Sequence, residues 1–248
     1  IGSAHPYYFA ALEMSQYVNE CCITEEQIAE VVVKNKNNAL KNSSAPYGSK
    51  ITVEDVLNSP MVFDPMRKLE IAPRADGAIV FVLANENVAR DITDTPVWVK
   101  GVGWWSETSN YDTMSFNAAY TYKAAKMAYK LAGITNPAKE IDIAEVDDRF
   151  AFKEFQHIEA LQLSKRFETG TLMQEGYFAK DGELPVNVSG GSLGIGNLLE
   201  ATGGQKALEI VLQLRRLAGR RQVEAETGVA QAWRYIPTAS GAVTVFGV

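Results

Sequence analysis

The chain has 248 residues, of which 46% are hydrophobic and 22% charged, an ordinary globular composition with room for one large core or two modest ones. A formal charge of -6, with lysines and arginines scattered along the chain, argues against a nucleic-acid surface. The longest apolar runs, such as 78–84, are too short to span a bilayer and no amino-terminal signal pattern is present; Cys21 and Cys22 are adjacent and poorly placed to bridge, so a reducing cytoplasm is the natural setting.

Phe9, Leu12, Gln16, Tyr17 and Val18 outline a first helix closed at 19–22, and Thr24 with Gln27 forms a capping box that launches a second through Ile28, Val31 and Val32. Residues 42–49 read as a polar loop, Thr52 with Asp55 starts a short helix, and Pro60 and Pro65 frame an extended stretch. After Asp76-Gly77, the continuous run from Ala78 to Ala84 predicts a strand buried on both faces. A short helix over 85–91 and a linker over 93–96 follow.

A second unit opens with a strand over 97–103 and an aromatic, polar loop over 104–113. Trp104, Trp105, Tyr111 and nearby Phe116 either cover a sheet end or wall a pocket for an acyl chain, ring or sterol, where Tyr111 could serve as an acid. Ala118, Ala125 and Leu131 lie in a helix ended by Gly133, and Ile141 to Val146 form a strand feeding Asp147-Asp148-Arg149-Phe150 and a helix to Leu163. A helix near 172–178, a glycine-rich loop, a long helix and two terminal strands, 229–234 and 241–247, complete the pattern. Strands alternating with helices predict an α/β architecture with buried sheets.

The glycine-rich loop, PVNVSGGSLGIGNLLEATGGQ over 185–205, places six glycines in the fifteen residues from Gly190 to Gly204, so its backbone adopts conformations that a Cβ would obstruct. Thr202 with Gln205 reads as a capping box, and Ala207, Ile210, Val211, Leu214 and Leu217 as the apolar face of a helix ended by Arg215, Arg216, Gly219 and Arg220. That helix would aim its free amides and positive dipole end at the loop, a favourable place for a developing oxyanion. The alternative is that the glycines serve only close strand-to-helix packing. Gly194-x-Gly196 followed by Leu199 does not read as a dinucleotide fingerprint.

Asn187-x-x-Gly190-Gly191, Gly196 and Ala201-Thr202-Gly203 together resemble the active-site signature of the thiolase superfamily, in the form carried by sterol-carrier-protein-type thiolases and lipid-transfer proteins. The resemblance implies a thiolase-like fold of layered αβαβα type, with residues 1–96 as the remaining part of a first domain and 97–248 as a complete second domain. It covers the chain but only about 60% of a typical member, so about 140 residues, including the nucleophilic cysteine, are expected before Ile1.

Three of the family's four active-site loops can be compared. Where relatives read Asn-Glu-Ala-Phe or His-Asp-Cys-Phe, this chain has Asp147-Asp148-Arg149-Phe150. An ionised Asp147 would repel an oxyanion, so it must be protonated, paired with Arg149 or turned away; alternatively both aspartates cap the helix from Phe150. Gly-His-Pro is replaced by Gly196-Asn197-Leu198, and Asn197 can donate an N–H to an oxyanion but cannot be a general base. The third loop, Cys-x-Gly-Gly-Gly in biosynthetic thiolases, corresponds to the segment from Trp233 to Ala242, where Tyr235 is the nearest titratable hydroxyl.

The resemblance thus implies Asn197, Asp147, Tyr111 and Tyr235 as catalytic residues, with Ser189, Gly190, Gly191 and Gly196 around coenzyme A, which enters as substrate. Cys21 and Cys22 lack a glycine elbow and read as packing residues, His157 reads as a packing or surface residue in mid-helix, and no metal spacing occurs. The implied activity is acyl-CoA acyltransfer by thiolysis or Claisen condensation, with a bulky or aromatic acyl chain among the options. A retro-aldolase acting on a 3-hydroxyacyl-CoA with a small OB-fold, zinc-ribbon partner, and a catalytically silent thiolase-fold subunit, are the alternatives. A homodimer is expected by the same resemblance.

Overall fold

A computed structural model describes residues 5–109, 117–234 and 238–248. Helix α1 (Pro6–Cys21) opens with proline in its first turn, where a missing N–H costs nothing. Helix α2 (Glu25–Ala39) starts at the expected capping box: Thr24 accepts from the Gln27 N–H at 3.2 Å while Gln27 accepts from the Thr24 N–H at 3.0 Å. The same device, Thr52 with Asp55, starts α3 (Val53–Leu57). Strands β1 (Met61–Phe63) and β2 (Met66–Arg67) form a small antiparallel ribbon at Pro65, and a 3-10 turn over 68–70 leads into the extended segment 71–75.

The expectation of a buried strand over 78–84 is not met. Among the described residues no strand pairs with this run, and Val80, Val82 and Leu83 are 83%, 89% and 83% exposed. A strand buried on both faces needs neighbours on both sides, and the described chain supplies none. Helix α4 (Glu86–Ile92) follows, capped by Asn85.

The second unit is built on a four-stranded sheet in the order β3-β6-β5-β4, comprising β3 (Trp98–Ser109), β4 (Ile143–Glu145), β5 (Thr227–Arg234) and β6 (Thr238–Gly247). β4 and β5 run parallel, and the other neighbours are antiparallel. β3 extends through Trp104 and Trp105, opposite Ala242 and Gly241, because aromatic residues suit a pleated surface; the expected loop therefore starts later.

Alternation along the strands sorts the two faces. Gly101, Gly103, Val243, Val245, Gln231 and Trp233 face α5 (Ala119–Ala132), which lies so close that a Cβ at Gly101 or Gly103 would overlap the carbonyls of Ala128 or Ala124. Ile143, Ala230 and Phe246 face the other way, packing with Ile210 and Leu214 of α10 (Thr202–Leu214). α5 ends at Gly133 with φ 73°, and α6 (Pro137–Glu140) leads to β4. Helix α7 (Ala151–Ala160) joins α5, α1 and α2 in the larger core around Tyr17, Ile28, Phe150, Phe152, Phe155 and Val243. α8 (Thr169–Gln174) and the single-turn α9 (Gly191–Ile195) complete the helices of this mixed α/β arrangement. No described helix is long and apolar enough to cross a membrane.

The start of α10 departs from the expected capping box. A 3-10 turn over 199–201 precedes it, and the Thr202 hydroxyl accepts from the Leu198 N–H at 3.1 Å instead of capping its own helix. The buried face is rotated toward Thr202, Lys206, Glu209, Ile210, Gln213 and Leu214, leaving Leu217 58% exposed.

Candidate active site at the carboxyl ends of the parallel strands

The parallel strands β4 and β5 bring the loop 147–150 and Trp233–Arg234, where another compared loop begins, to the same end of the sheet, the end where α/β folds place ligands. The extended segment 71–75 stitches the third to them. The Ala72 N–H donates to the Arg149 carbonyl at 2.8 Å, and the Asn197 N–H donates to the Pro73 carbonyl at 2.7 Å. Arg149 and Asn197 are thus held by adjacent residues of one ribbon.

Asn197 is fixed by its own loop. Its Oδ1 accepts from the Leu199 backbone N–H at 3.0 Å and lies 3.5 Å from the Thr202 hydroxyl. Only the amide oxygen can meet a backbone N–H, so the orientation of the side chain is set and Nδ2 points the other way. Among the described residues nothing accepts from Nδ2, and the residue is 9% exposed. Leu199 holds a left-handed φ of 55° to make this turn, a strain that a non-glycine residue bears only when its surroundings enforce it.

Asp147 is fully buried in the 147–150 loop. Its Oδ1 accepts from the Arg149 N–H at 2.9 Å, and its Oδ2 has no hydrogen bond but lies 3.6 Å from the Arg149 guanidinium. Burial raises its pKa, and the Arg149 charge works against that rise. Arg149 stacks over Trp233, with Cζ 5.5 Å from the ring, and donates weakly to the Trp233 carbonyl at 3.4 Å. Neither aspartate caps α7, whose first residues carry no side-chain cap.

The glycine loop is occupied from within. Asp148 accepts from the N–H groups of Ser192 and Leu193 at 2.5 and 3.2 Å, filling the mouth of α9. The Ser189 N–H and hydroxyl both donate to Glu145, at 2.9 and 2.6 Å, and the N–H groups of Gly190, Gly191 and Gly194 go to Asn187, Ser189 and Gly190. Every amide from 189 to 194 that could have cradled a thioester is bonded inside the chain. The glycines are required by packing: a Cβ on Gly190 would overlap Ala39, one on Gly191 the Asp148 carboxylate and one on Gly196 the Ala75 methyl. The expectation of free amides at Ser189, Gly190 and Gly191 therefore gives way to a scaffold that carries Asn197.

Behind that scaffold lies a buried polar network that the sequence reading missed. Lys206 of α10 meets Asp148 at 3.1 Å and Glu145 at 3.8 Å, and Lys34 meets Glu154 at 2.9 Å. Asn35 donates to both Asp148 and Glu154, at 2.8 and 2.6 Å, and Asn187 donates to Glu154 at 2.7 Å. Burial alone would lower the Lys206 pKa, but Asp148 and Glu145 more than offset it and the pKa is raised; burial lifts Glu145 to about 7. The one available signal was Lys206 itself, one turn ahead of the apolar Ile210 and Leu214.

His157 is wholly buried. One ring nitrogen bonds the Asp147 carbonyl at 2.7 Å and the other the Tyr120 hydroxyl at 3.0 Å, and burial pushes its pKa well below the usual value, so it braces the 147–150 loop as a neutral ring. Lys153, also buried, pairs with Glu13 and sits 4.4 Å from the Trp233 ring. Cys21 is buried with a raised pKa, the reverse of an activated thiolate, and Cys22 occupies the left-handed cap of α1. Tyr111, Phe116 and Tyr235 lie outside the described residues.

Residues 103–247 match the thiolase C-terminal domain-like family, more than half of the chain. The chain is 40% identical over 224 residues to the acetyl-CoA acetyltransferase of Methanothermobacter thermautotrophicus, covering 88% of this chain and 57% of that protein. It is 31% identical over 227 residues to sterol carrier protein 2 of Gallus gallus, covering 89% of this chain and 41% of that one. A solved Ltp2-ChsH2(DUF35) aldolase superposes with a TM-score of 0.86 at 23% identity, covering 100% of this chain and 65% of that one. The chain spans little more than half the length of the acetyltransferase. With its mixed sheet between helices, the 71–75 ribbon that joins the 147–150 loop to Asn197, and the family match through 103–247, the chain belongs to the thiolase family, by way of a C-terminal domain of the thiolase type.

Proposed function

We propose that the whole protein is a thiolase-like acyl-CoA enzyme that makes or breaks the carbon–carbon bond beside a CoA thioester, by thiolysis of a 3-ketoacyl-CoA or the reverse condensation. The observation that carries this reading is Asn197, whose side-chain oxygen is tied to Leu199 and whose Nδ2 bonds to none of the described residues. A preorganised amide donor stabilises the oxyanion of a tetrahedral intermediate without any cost of reorientation. The relatives that match over most of this chain, an acetyltransferase among them, support the acyl-CoA part of the reading. In this reading Asp147, paired with Arg149, takes part from the 147–150 loop, and Tyr111 and Tyr235 supply titratable hydroxyls. Ser189, Gly190, Gly191 and Gly196 act by holding the loop that presents Asn197 to coenzyme A.

Thiolysis needs a thiolate, which neither Cys21 nor Cys22 is placed to provide; the nucleophile would come from the part of the relatives' length that this chain does not span. A second reading is favoured by the same asparagine. Cleavage of a 3-hydroxyacyl-CoA by a retro-aldol step requires an acid, a base and an oxyanion donor but no thiolate, and a solved neighbour is named an aldolase in complex with a DUF35 protein. In that reading a small OB-fold, zinc-ribbon partner completes the enzyme, and a homodimer of the chain forms its centre.

The test is to incubate the full-length protein, with whatever partner co-purifies, with a 3-ketoacyl-CoA plus CoA, and separately with a 3-hydroxyacyl-CoA alone. Two shorter acyl-CoAs from the first support thiolysis. A ketone or aldehyde from the second supports the aldolase. Turnover of neither overturns both and leaves a silent thiolase-fold subunit.

A further inference from the structure

Arg149 is out of character for its position. The loop it occupies resembles Asn-Glu-Ala-Phe or His-Asp-Cys-Phe, so a long cation stands where the family pattern has a small residue. The side chain is 17% exposed and lies along Trp233, too deep for the phosphates of a nucleotide that must reach solvent. Among the described residues only one terminal nitrogen of its donor groups meets a partner, at 3.4 Å to the Trp233 carbonyl and 3.6 Å to Asp147. Nε is buried and bonds to none of the described residues.

A thioester carbonyl does not call for this group. It is neutral in the ground state, and Asn197, held by the same ribbon, already supplies an uncharged donor. A half-buried guanidinium with unused N–H groups is matched by a full anion presented in its plane, and the planar fork of arginine fits a carboxylate. Asp147, its anionic partner among the described residues, meets it outside hydrogen-bond range and does not saturate it.

Resting on the acyl-CoA reading above, we propose that Arg149 makes the site select acyl-CoA substrates whose acyl group carries a carboxylate. Asp147 is the internal competitor for the same cation, keeping it neutralised until such a substrate enters.

The test compares 3-oxoadipyl-CoA with 3-oxohexanoyl-CoA, six-carbon acyl groups that differ by a terminal carboxylate, using kcat/KM of the full-length protein with its partner. In parallel, calorimetry compares binding of adipyl-CoA and hexanoyl-CoA, which cannot be cleaved. The wild type should favour the carboxylate by about 10- to 100-fold, the range of one hydrogen-bonded pair with a charged group. Arg149→Met should remove that preference in both measurements. Asp147→Asn, which frees the guanidinium, should widen it, an outcome that a merely structural role of the pair does not produce. Because Arg149→Met leaves Asp147 buried and unpaired, Asp147→Asn/Arg149→Met is made alongside it and should show no preference. Equal binding of the two ligands by the wild type, no binding of either, or a preference that survives in the double variant would overturn the proposal. Selective binding without turnover would sink the proposed reaction and leave the role of Arg149 standing.

Discussion

Glu70 offers a clean measurement of what burial costs this fold. It is 1% exposed at the end of the 3-10 turn before the site ribbon, with one oxygen accepting from the Arg67 N–H at 2.7 Å and the other buried without a hydrogen bond. Burial is the chief cause that lifts its pKa from 4.5 to about 7, against the opposing hydrogen bond and charge of Arg67. At about 1.4 kcal/mol per pKa unit the rise corresponds to about 3 kcal/mol. The unfolded chain releases this proton near pH 4.5 and the folded chain near 7. The group's contribution is therefore complete below pH 4.5 and is lost as pH rises through 7. Glu70→Gln keeps an oxygen for the Arg67 N–H and has no proton to lose. Urea unfolding of both proteins at pH 4.5, 6, 7 and 8 should show nearly equal stabilities at the acid end. By pH 8 the variant should be the more stable by about 3 kcal/mol. Two stability curves that run parallel across the range would refute the reasoning, since they would mean that Glu70 ionises as easily in the folded chain as in the unfolded one.

Lys206→Met removes the counter-charge of Asp148 and Glu145 and should cost about 3–5 kcal/mol in denaturant unfolding, with part recovered in Asp148→Asn/Lys206→Met, where no carboxylate at 148 is left unpaired. Gly191→Ala forces a methyl onto the Asp148 carboxylate at a φ of 60°. It should lower the thermal midpoint and raise amide exchange at Ser192 and Leu193, with a cost of about 2–4 kcal/mol from strain plus a lost charged cap. Asn197→Ala should lower kcat by about 100- to 1000-fold with little change in stability, the usual consequence of deleting one oxyanion donor. Steady-state kinetics beside a thermal melt will check it.

Local signals were legible in the sequence. The Thr24–Gln27 and Thr52–Asp55 boxes, the left-handed glycine after α5 and the two terminal strands were readable because each depends on neighbours within a few residues. Thr202 with Gln205 showed the same spacing and failed, because the Thr202 hydroxyl is taken by the Leu198 N–H of the turn that enters the helix. Ile141 to Val146 reads as a strand and β4 occupies its middle, but no spacing announced that Glu145 would meet Ser189 or that Asp148 would cap a helix more than forty residues away. Those pairs are made by the run from Val186, which lies alongside β4 through a parallel bridge to Ala144 although more than forty residues separate them. Asp147 and Asn197 could be singled out by type, whereas the orientation of the Asn197 amide required the fold of 197–202.

The uncovered run at 78–84 bears on how the chain behaves on the bench. Among the described residues nothing bonds to its backbone, Ile79 to Val82 are β-formers, the run carries no charge, and such a ribbon templates others of its kind. Concentrated alone, the polypeptide should precipitate or form fibrils through this tape. Val82→Lys, a gatekeeper in the middle of it, should restore clean behaviour on a sizing column while leaving the interior untouched.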